Sequence, residues 1–303
     1  MLKIYRFSDS IINAPIVLAL GHFDSVHLAH RELLLKCKNC AKELGASSAV
    51  FSFDNNPKEF FLKESPKLVY DFETRCDIFN TLNLDYILYE TFNKSFSQLT
   101  DKQFLDKLKN FNIMAIVCGF DYTFGKNAIG NVEVLDKFCK KNNIKLHVLP
   151  KMVFDGKKIS TSRIAKSLTS GDLTTANQLL GESYRYTETV CSGYSVGRNL
   201  GFSTANLPIK TNLTLLKDGV YAGYCLVEEK KFKAIINIGA RMTFNDFEKK
   251  IEAHLLSFDG DLYGKKITLY FEKYLREQKR FASTEELSLQ LKKDRAEAET
   301  LLK

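Results

Sequence analysis

The chain has 303 residues, 45% hydrophobic and 26% charged, enough apolar material for one large or two ordinary cores and too much for a disordered chain. No run approaches the roughly 18 apolar residues of a membrane helix, and seven cysteines, an odd number spread over the whole length, do not make a disulfide framework. The net charge of +8 comes from scattered lysines: it reads as a solvated basic surface or as attraction for an anionic ligand, and no nucleic-acid-binding motif accompanies it.

The opening MLKIYRFSDSIINAPIVLALG carries Lys3 and Arg6 ahead of an apolar patch, as a signal peptide does. Asn13 and Pro15 interrupt the patch and no small-residue cleavage site follows, so a cytoplasmic chain is expected. The spacing then predicts strands over 14–20, 47–53, 84–90, 113–119 and 144–150. Helical patterns alternate with them in HLAHRELLLKCKNCAKELG, DFETRCDIFNTLN, TDKQFLDKLKN and VEVLDKFCKKN, the third opened by a Thr100–Gln103 capping box. Short apolar runs alternating with helices of this length predict a parallel sheet covered on both faces.

A helical stretch, TSRIAKSLTSGDLTTANQLLGE, ends near residue 182. Beyond it YTETVCSG, VYAGYCLVE, KFKAIINIG, IEAHLLSF and KITLYFEKYL follow closely with almost no helix, which predicts an antiparallel barrel or sandwich. A terminal amphipathic helix follows Ser283 and Glu286, a second capping-box pair. The expected domains are 1–182 and 183–303.

GHFDSVHLAH (21–30) sits at the first strand-to-helix junction. His27, His30, Cys37 and Cys40 have the residue types of a zinc site. On one continuous helix, however, the two pairs lie roughly 15 Å apart at about 1.5 Å rise per residue, and zinc holds ligands at about 2.0–2.3 Å. With Asp24 or Ser25 as cap, His27 and His30 would occupy the first turns, where free N–H groups and the positive dipole end favour an anion. They read equally as two surface histidines. GFDYTFG (119–125) suits a ligand-facing loop, and Lys158 with Ser160, Thr161 and Ser162 at a later helix start suits phosphate or simple capping. In the second half, GYSVGRNLGFSTAN (193–206) reads as a phosphate-approaching backbone ending in oxygen donors, or as a plain glycine-rich hairpin. Glu252 alternates with Ile251 and Ala253, as a catalytic or an exposed-face carboxylate would.

Together these stretches resemble the bacterial bifunctional riboflavin kinase/FAD synthetase family, from about residue 15 to the C-terminus. The resemblance rests on HxxH after the first strand, the late S-T-S helix start, residues 193–206 against G-x-x-x-G-R-x-L-G-F-P-T-A-N, GVYAG, NIGARMTF and YLREQKRF. It implies an α/β nucleotidyltransferase domain with a Rossmann-like parallel sheet, then an antiparallel β-barrel riboflavin kinase domain with a terminal helix. The implied substrates and products are riboflavin, FMN, FAD and ATP, with Mg²⁺, no nucleic acid and no membrane. By the resemblance His27 and His30 would stabilise the α-phosphate, with Gly21, Phe23, Asp24, Lys158, Ser160, Thr161 and Ser162 around the nucleotide and Asp121 and Phe124 near the flavin. Gly193, Gly197, Arg198 and Gly201 would approach ATP in the kinase, Thr204 and Asn206 would ligate Mg²⁺, Glu252 would be the base, and Arg276 would close over the flavin. The chain departs from the family pattern at Ser25, Ala29, Ala165 (an arginine elsewhere), Ser203 and Met242, and FDNNP lacks a usual histidine. Those departures leave a second reading open, a monofunctional riboflavin kinase with a degenerate front domain.

Overall fold

The computed structural model describes residues 2–9, 12–62, 66–191, 204–241 and 246–302. They form two compact units, Met1–Thr161 and Ser162–Lys303.

The front unit alternates strands and helices as the spacing predicts. β1 (Lys3–Arg6) and β2 (Ile16–Leu20) precede α1 (Leu28–Glu43), β3 (Ser47–Phe53), α2 (Phe72–Thr81), β4 (Tyr86–Glu90) and α3 (Lys94–Ser97). Then come α4 (Asp101–Leu108), β5 (Ile113–Gly119), α5 (Val132–Lys141), β6 (Lys145–Leu149) and a small hairpin of β7 (Val153–Phe154) and β8 (Lys157–Lys158). Polar caps start the helices: Asp71 accepts from Thr74 N, Asn131 from Val134 N, and Thr100 and Gln103 form the expected reciprocal box.

The six-stranded sheet runs β1-β4-β3-β2-β5-β6 with every pairing parallel. Residues 3–6, to which the sequence reading assigned no element, are its edge strand. All of β2 is buried. Ile16, Leu18 and Leu20 join one core with Phe104 and Leu108 of α4 and Leu135 of α5. Val17 and Ala19 alternate to the other face, where α1 packs on β2, β3 and β5 and the Cys37 thiol reaches Val17 O at 3.2 Å. A strand buried on both faces reads as one unbroken apolar run, as APIVLAL does. From β2 the chain winds through β3 to β4, then returns to β5 on the other side of β2. The carboxyl ends of β2 and β5 therefore flank a topological switch point, the usual ligand crevice of such sheets.

Within the second unit, α6 (Thr161–Ser170, beginning at the unit boundary) and α7 (Leu173–Leu180) lead into β9 (Tyr184–Thr189), β10 (Thr204–Leu207), β11 (Gly219–Val227), β12 (Lys230–Arg241), β13 (Asp246–Leu255), β14 (Lys266–Arg276) and α8 (Thr284–Leu301). The sheet runs β10-β13-β12-β11-β14-β9, antiparallel throughout. An isolated antiparallel bridge between Cys191 and Asn206, with Cys191 N donating to Asn206 O at 2.9 Å, joins its two outer ends and closes the barrel. The compact units divide ahead of the 182/183 boundary expected from sequence, because α7 is bonded to barrel strands. Asn177 donates to Phe271 O at 2.9 Å and accepts from Tyr184 N at 2.8 Å. Ser283 caps α8 from Glu286 N, but the Glu286 carboxylate answers to Ala282 N, one residue before the cap.

Candidate functional site

A cavity of about 660 Å³ opens at the carboxyl ends of β2, β3 and β5. It is lined by Gly21, Phe23, His27, His30, Asp121, Phe124, Lys158, Ser160 and Thr161 of the expected residues, and the hydroxyls of Ser25 and Thr161 meet at 3.0 Å.

The local geometry corrects the expected cap. Neither Asp24 nor Ser25 caps α1; His27 does, its Nδ1 accepting the His30 backbone N–H at 3.2 Å. His27 therefore precedes the helix and bends back over it, which stacks the two imidazoles at 3.7 Å between centroids and 10° between planes. Burial pushes the His27 ring down to about 4, helped by the nearby Lys158 cation. Burial also holds His30 well below the ordinary imidazole value, with His27 as a smaller cause. Both rings are neutral at pH 7. Because Nδ1 of His27 is an acceptor, its single proton sits on Nε2, a fixed donor on the cavity wall. The Nδ1 of His30 is buried with no hydrogen-bond partner among the described residues.

Gly21 is required here, because a Cβ would fall 2.9 Å from the Phe23 ring. Phe23 itself is fully buried, its ring edge on His30 at 5.1 Å between centroids. Asp24 is not among the cavity residues: its carboxylate accepts from Val69 N at 2.8 Å and Tyr70 N at 3.5 Å, and burial raises it to about 6. Lys158 and Asp121 are ion-paired with each other. Phe124 belongs to the hydrophobic core while forming cavity wall. Ser162 and Ala165 follow on α6 and fall in the second unit. Cys37 and Cys40 are buried in α1, with Cys40 Sγ 3.5 Å from His147 Nε2.

One set of cavity residues, and one buried residue outside the cavity lining, escaped sequence reasoning. Phe53, Phe61, Phe92, Phe96 and Phe104 build an aromatic wall, visible in the sequence only as a high phenylalanine content, 23 in the whole chain. Arg75, which reads as helix surface in DFETRC, has no exposed area at all.

In the barrel, register gathers the second set. Asn206 of β10 and Asn237 of β12 both stand directly opposite Glu252 of β13, so the three side chains share one face. Thr204 lies two residues before Asn206 and shares that face too. Ile251 and Ala253 alternate to the buried interior, which leaves Glu252 half-buried. The hydroxyl, amide and carboxylate oxygens suit a hard divalent cation. Gln278 Nε2 donates to Asn237 Oδ1 at 3.0 Å. The Arg276 fork grips Asp294 of α8 through Nε at 2.9 Å and Nη2 at 2.6 Å, with Asp294 almost wholly buried. Gly193, Gly197, Arg198 and Gly201 lie outside the described residues, as does Met242.

Comparison with known proteins matches both halves of the chain. The family model described as FAD synthetase matches residues 9–163, and that described as riboflavin kinase matches residues 180–302. The chain is similar to a bifunctional riboflavin kinase/FMN adenylyltransferase of Bacillus subtilis, 33% identical with 94% of this chain and 92% of that protein covered. The Escherichia coli protein of the same name is 30% identical over 97% of this chain and 96% of its own length. A solved structure from Streptococcus pneumoniae, described as a macrolide-efflux protein, is similar over 97% of both chains with a TM-score of 0.85 at 26% identity. In the present chain no helix among the described residues is long and apolar enough to cross a membrane. The chain belongs to the bifunctional riboflavin kinase/FMN adenylyltransferase family.

Proposed function

We propose that the cavity of the front unit adenylylates FMN and that the Asn206–Glu252–Asn237 face of the barrel phosphorylates riboflavin. In the front unit an FMN phosphate oxygen attacks the α-phosphorus of ATP. The new O–P bond forms as the bond to pyrophosphate breaks. Charge accumulates on the α-phosphate oxygens, and no covalent enzyme intermediate is needed. His27 offers a neutral donor whose tautomer is already fixed by the cap, so nothing has to reorganise as the charge develops. The positive dipole end of α1 adds a second favourable field. Lys158 would turn from Asp121 to the departing phosphates, with Ser160 and Thr161 beside it. Asp121 and Phe124, on the β5 side of the cavity, would face the flavin. The observation carrying this reading is the stacked, capped, neutral histidine pair on the wall of the switch-point cavity.

In the barrel Glu252 takes the proton from the riboflavin ribityl hydroxyl as that oxygen attacks the γ-phosphate of ATP. Thr204 and Asn206 would hold Mg²⁺, which when bound neutralises phosphate charge. Asn237, opposite Glu252 and fixed by Gln278, would orient the carboxylate. The free thiols of all seven cysteines fit a reducing, cytoplasmic setting.

The test is a time course of the purified chain with riboflavin, ATP and Mg²⁺, separating FMN from FAD. FMN followed by FAD is expected. FMN alone, with FAD absent even when FMN is supplied, would overturn the front-unit reading.

A further inference from the structure

Arg75 is fully buried, yet no carboxylate lies within ion-pair distance of it among the described residues. Its guanidinium instead collects oxygen acceptors from three segments. Nη1 donates to His22 O at 3.1 Å and Ser52 Oγ at 2.9 Å. Nη2 donates to Phe53 O at 2.8 Å and Asp54 O at 3.5 Å, and Nε to Asp71 O at 3.4 Å. The Ser52 hydroxyl also donates to His22 O, at 2.7 Å. The fork therefore stitches the turn after β2 to the end of β3 and the start of α2.

That turn is strained. Phe23 has φ of 53° and Val26 has φ of 41°, left-handed backbone in two non-glycine residues, one of them β-branched. Such conformations cost about 1–3 kcal/mol each and persist only where the surroundings over-determine them. Val26 stands immediately before His27 and Phe23 four residues before it, so the turn sets where the histidine cap and its ring fall. A buried cation that could as well have been a methionine is retained at a point where only a five-donor fork can satisfy the available carbonyls.

We propose that Arg75 is a positioning residue for adenylyl transfer, holding the strained turn that presents the His27 Nε2 donor. It touches no substrate and acts through His22, Phe23 and Val26 on the histidine pair. The proposal rests on the assignment of that pair given above. A lysine at 75 would keep the charge but could not span three segments, and a methionine would keep only the volume.

The full-length chain is tested as R75K and R75M, with FMN and ATP supplied, alongside the parent and H27A. Three further readouts accompany turnover: kinase activity on riboflavin, the folded fraction of the front unit by urea titration, and the ring ¹⁵N signals of His27. In R75M, kcat for FAD formation should fall on the order of 100-fold, as when one preorganised donor is misplaced. KM for ATP should move little, because ground-state binding does not depend on this donor. R75K should fall between the parent and R75M. Kinase turnover should be unchanged, and the His27 signals should lose the pattern of a proton fixed on Nε2. Folded R75M with kcat within threefold of the parent, losses that merely follow the unfolded fraction, or unaltered His27 signals would each overturn the proposal. If R75M does not fold, R75K is judged by the same criteria. If H27A itself leaves FAD formation intact, the assignment of the pair fails and the role of Arg75 fails with it; if H27A is impaired and R75M is not, Arg75 alone is excluded.

Discussion

Replacing His27 by asparagine separates two things that one imidazole does. Its Nδ1 caps α1 by accepting the His30 N–H at 3.2 Å, and its Nε2 carries the proton proposed to meet the α-phosphate. Asparagine is among the best N-caps, whereas alanine has no acceptor and loses about 1 kcal/mol at such a position. Neither side chain can place a ring N–H where Nε2 stands. Loss of a single preorganised donor lowers kcat by about 10²–10³-fold. His27→Asn should therefore leave the front unit's stability within about 0.5 kcal/mol of a capped helix while FAD formation falls about 100-fold. His27→Ala should show the same catalytic loss and about 1 kcal/mol less stability. The assay pairs urea unfolding of the front unit with chromatographic separation of FAD made from supplied FMN. Riboflavin phosphorylation in the same samples serves as internal control. An asparagine variant that turns over within threefold of the parent would refute the donor role. One as unstable as the alanine variant would refute the cap.

Acidification should destabilise the front unit between pH 6.5 and 4. The His27 ring falls from 6.5 to about 4 on burial, so stability is full above 6.5 and about 3 kcal/mol is lost as pH drops through that window. His22, buried down to about 3, adds to the loss, while Asp24, raised from 3.8 to about 6, opposes it because its contribution is full below 3.8 and lost as pH rises. Asp24→Asn should therefore steepen the acid limb seen by urea titration, and a limb made shallower would reverse the sign argued here. Glu252→Gln should abolish FMN formation from riboflavin while FAD formation from supplied FMN continues, and retained kinase turnover would exclude Glu252 as the base. Asp294→Ala should cost the barrel unit about 3–5 kcal/mol, since it strands the Arg276 guanidinium without its buried counter-ion; a shift under 1 kcal/mol in urea would show that water re-solvates it.

Period and spacing made the fold readable: SSAVFSF and IMAIVCG are strands from first residue to last, and Thr100 with Gln103 forms its box. KIYR did not read as a strand because its four residues lie exposed at a sheet edge, so no apolar run marks it. In the site, HxxH was legible as a pair but not as a stack. A histidine is not an expected N-cap, and only coordinates show that the ring nearest the helix start turns back over it. Arg75 was invisible for a physical reason as well. A guanidinium satisfied by backbone carbonyls leaves no partner charge in the sequence to betray it. Arg276 reads as a ligand closure in YLREQKRF, while the fold gives its fork to Asp294, eighteen residues on, at a separation no local pattern marks.

The bridge between Cys191 and Asn206 pairs the two outer ends of the six-stranded sheet, so β9 and β10 present no open edge at that point. An unpaired edge is a template for another chain, and closure removes it. Cys191→Pro, which deletes the bridging N–H, should therefore raise the tendency of the chain to associate edge to edge, read by light scattering against the parent.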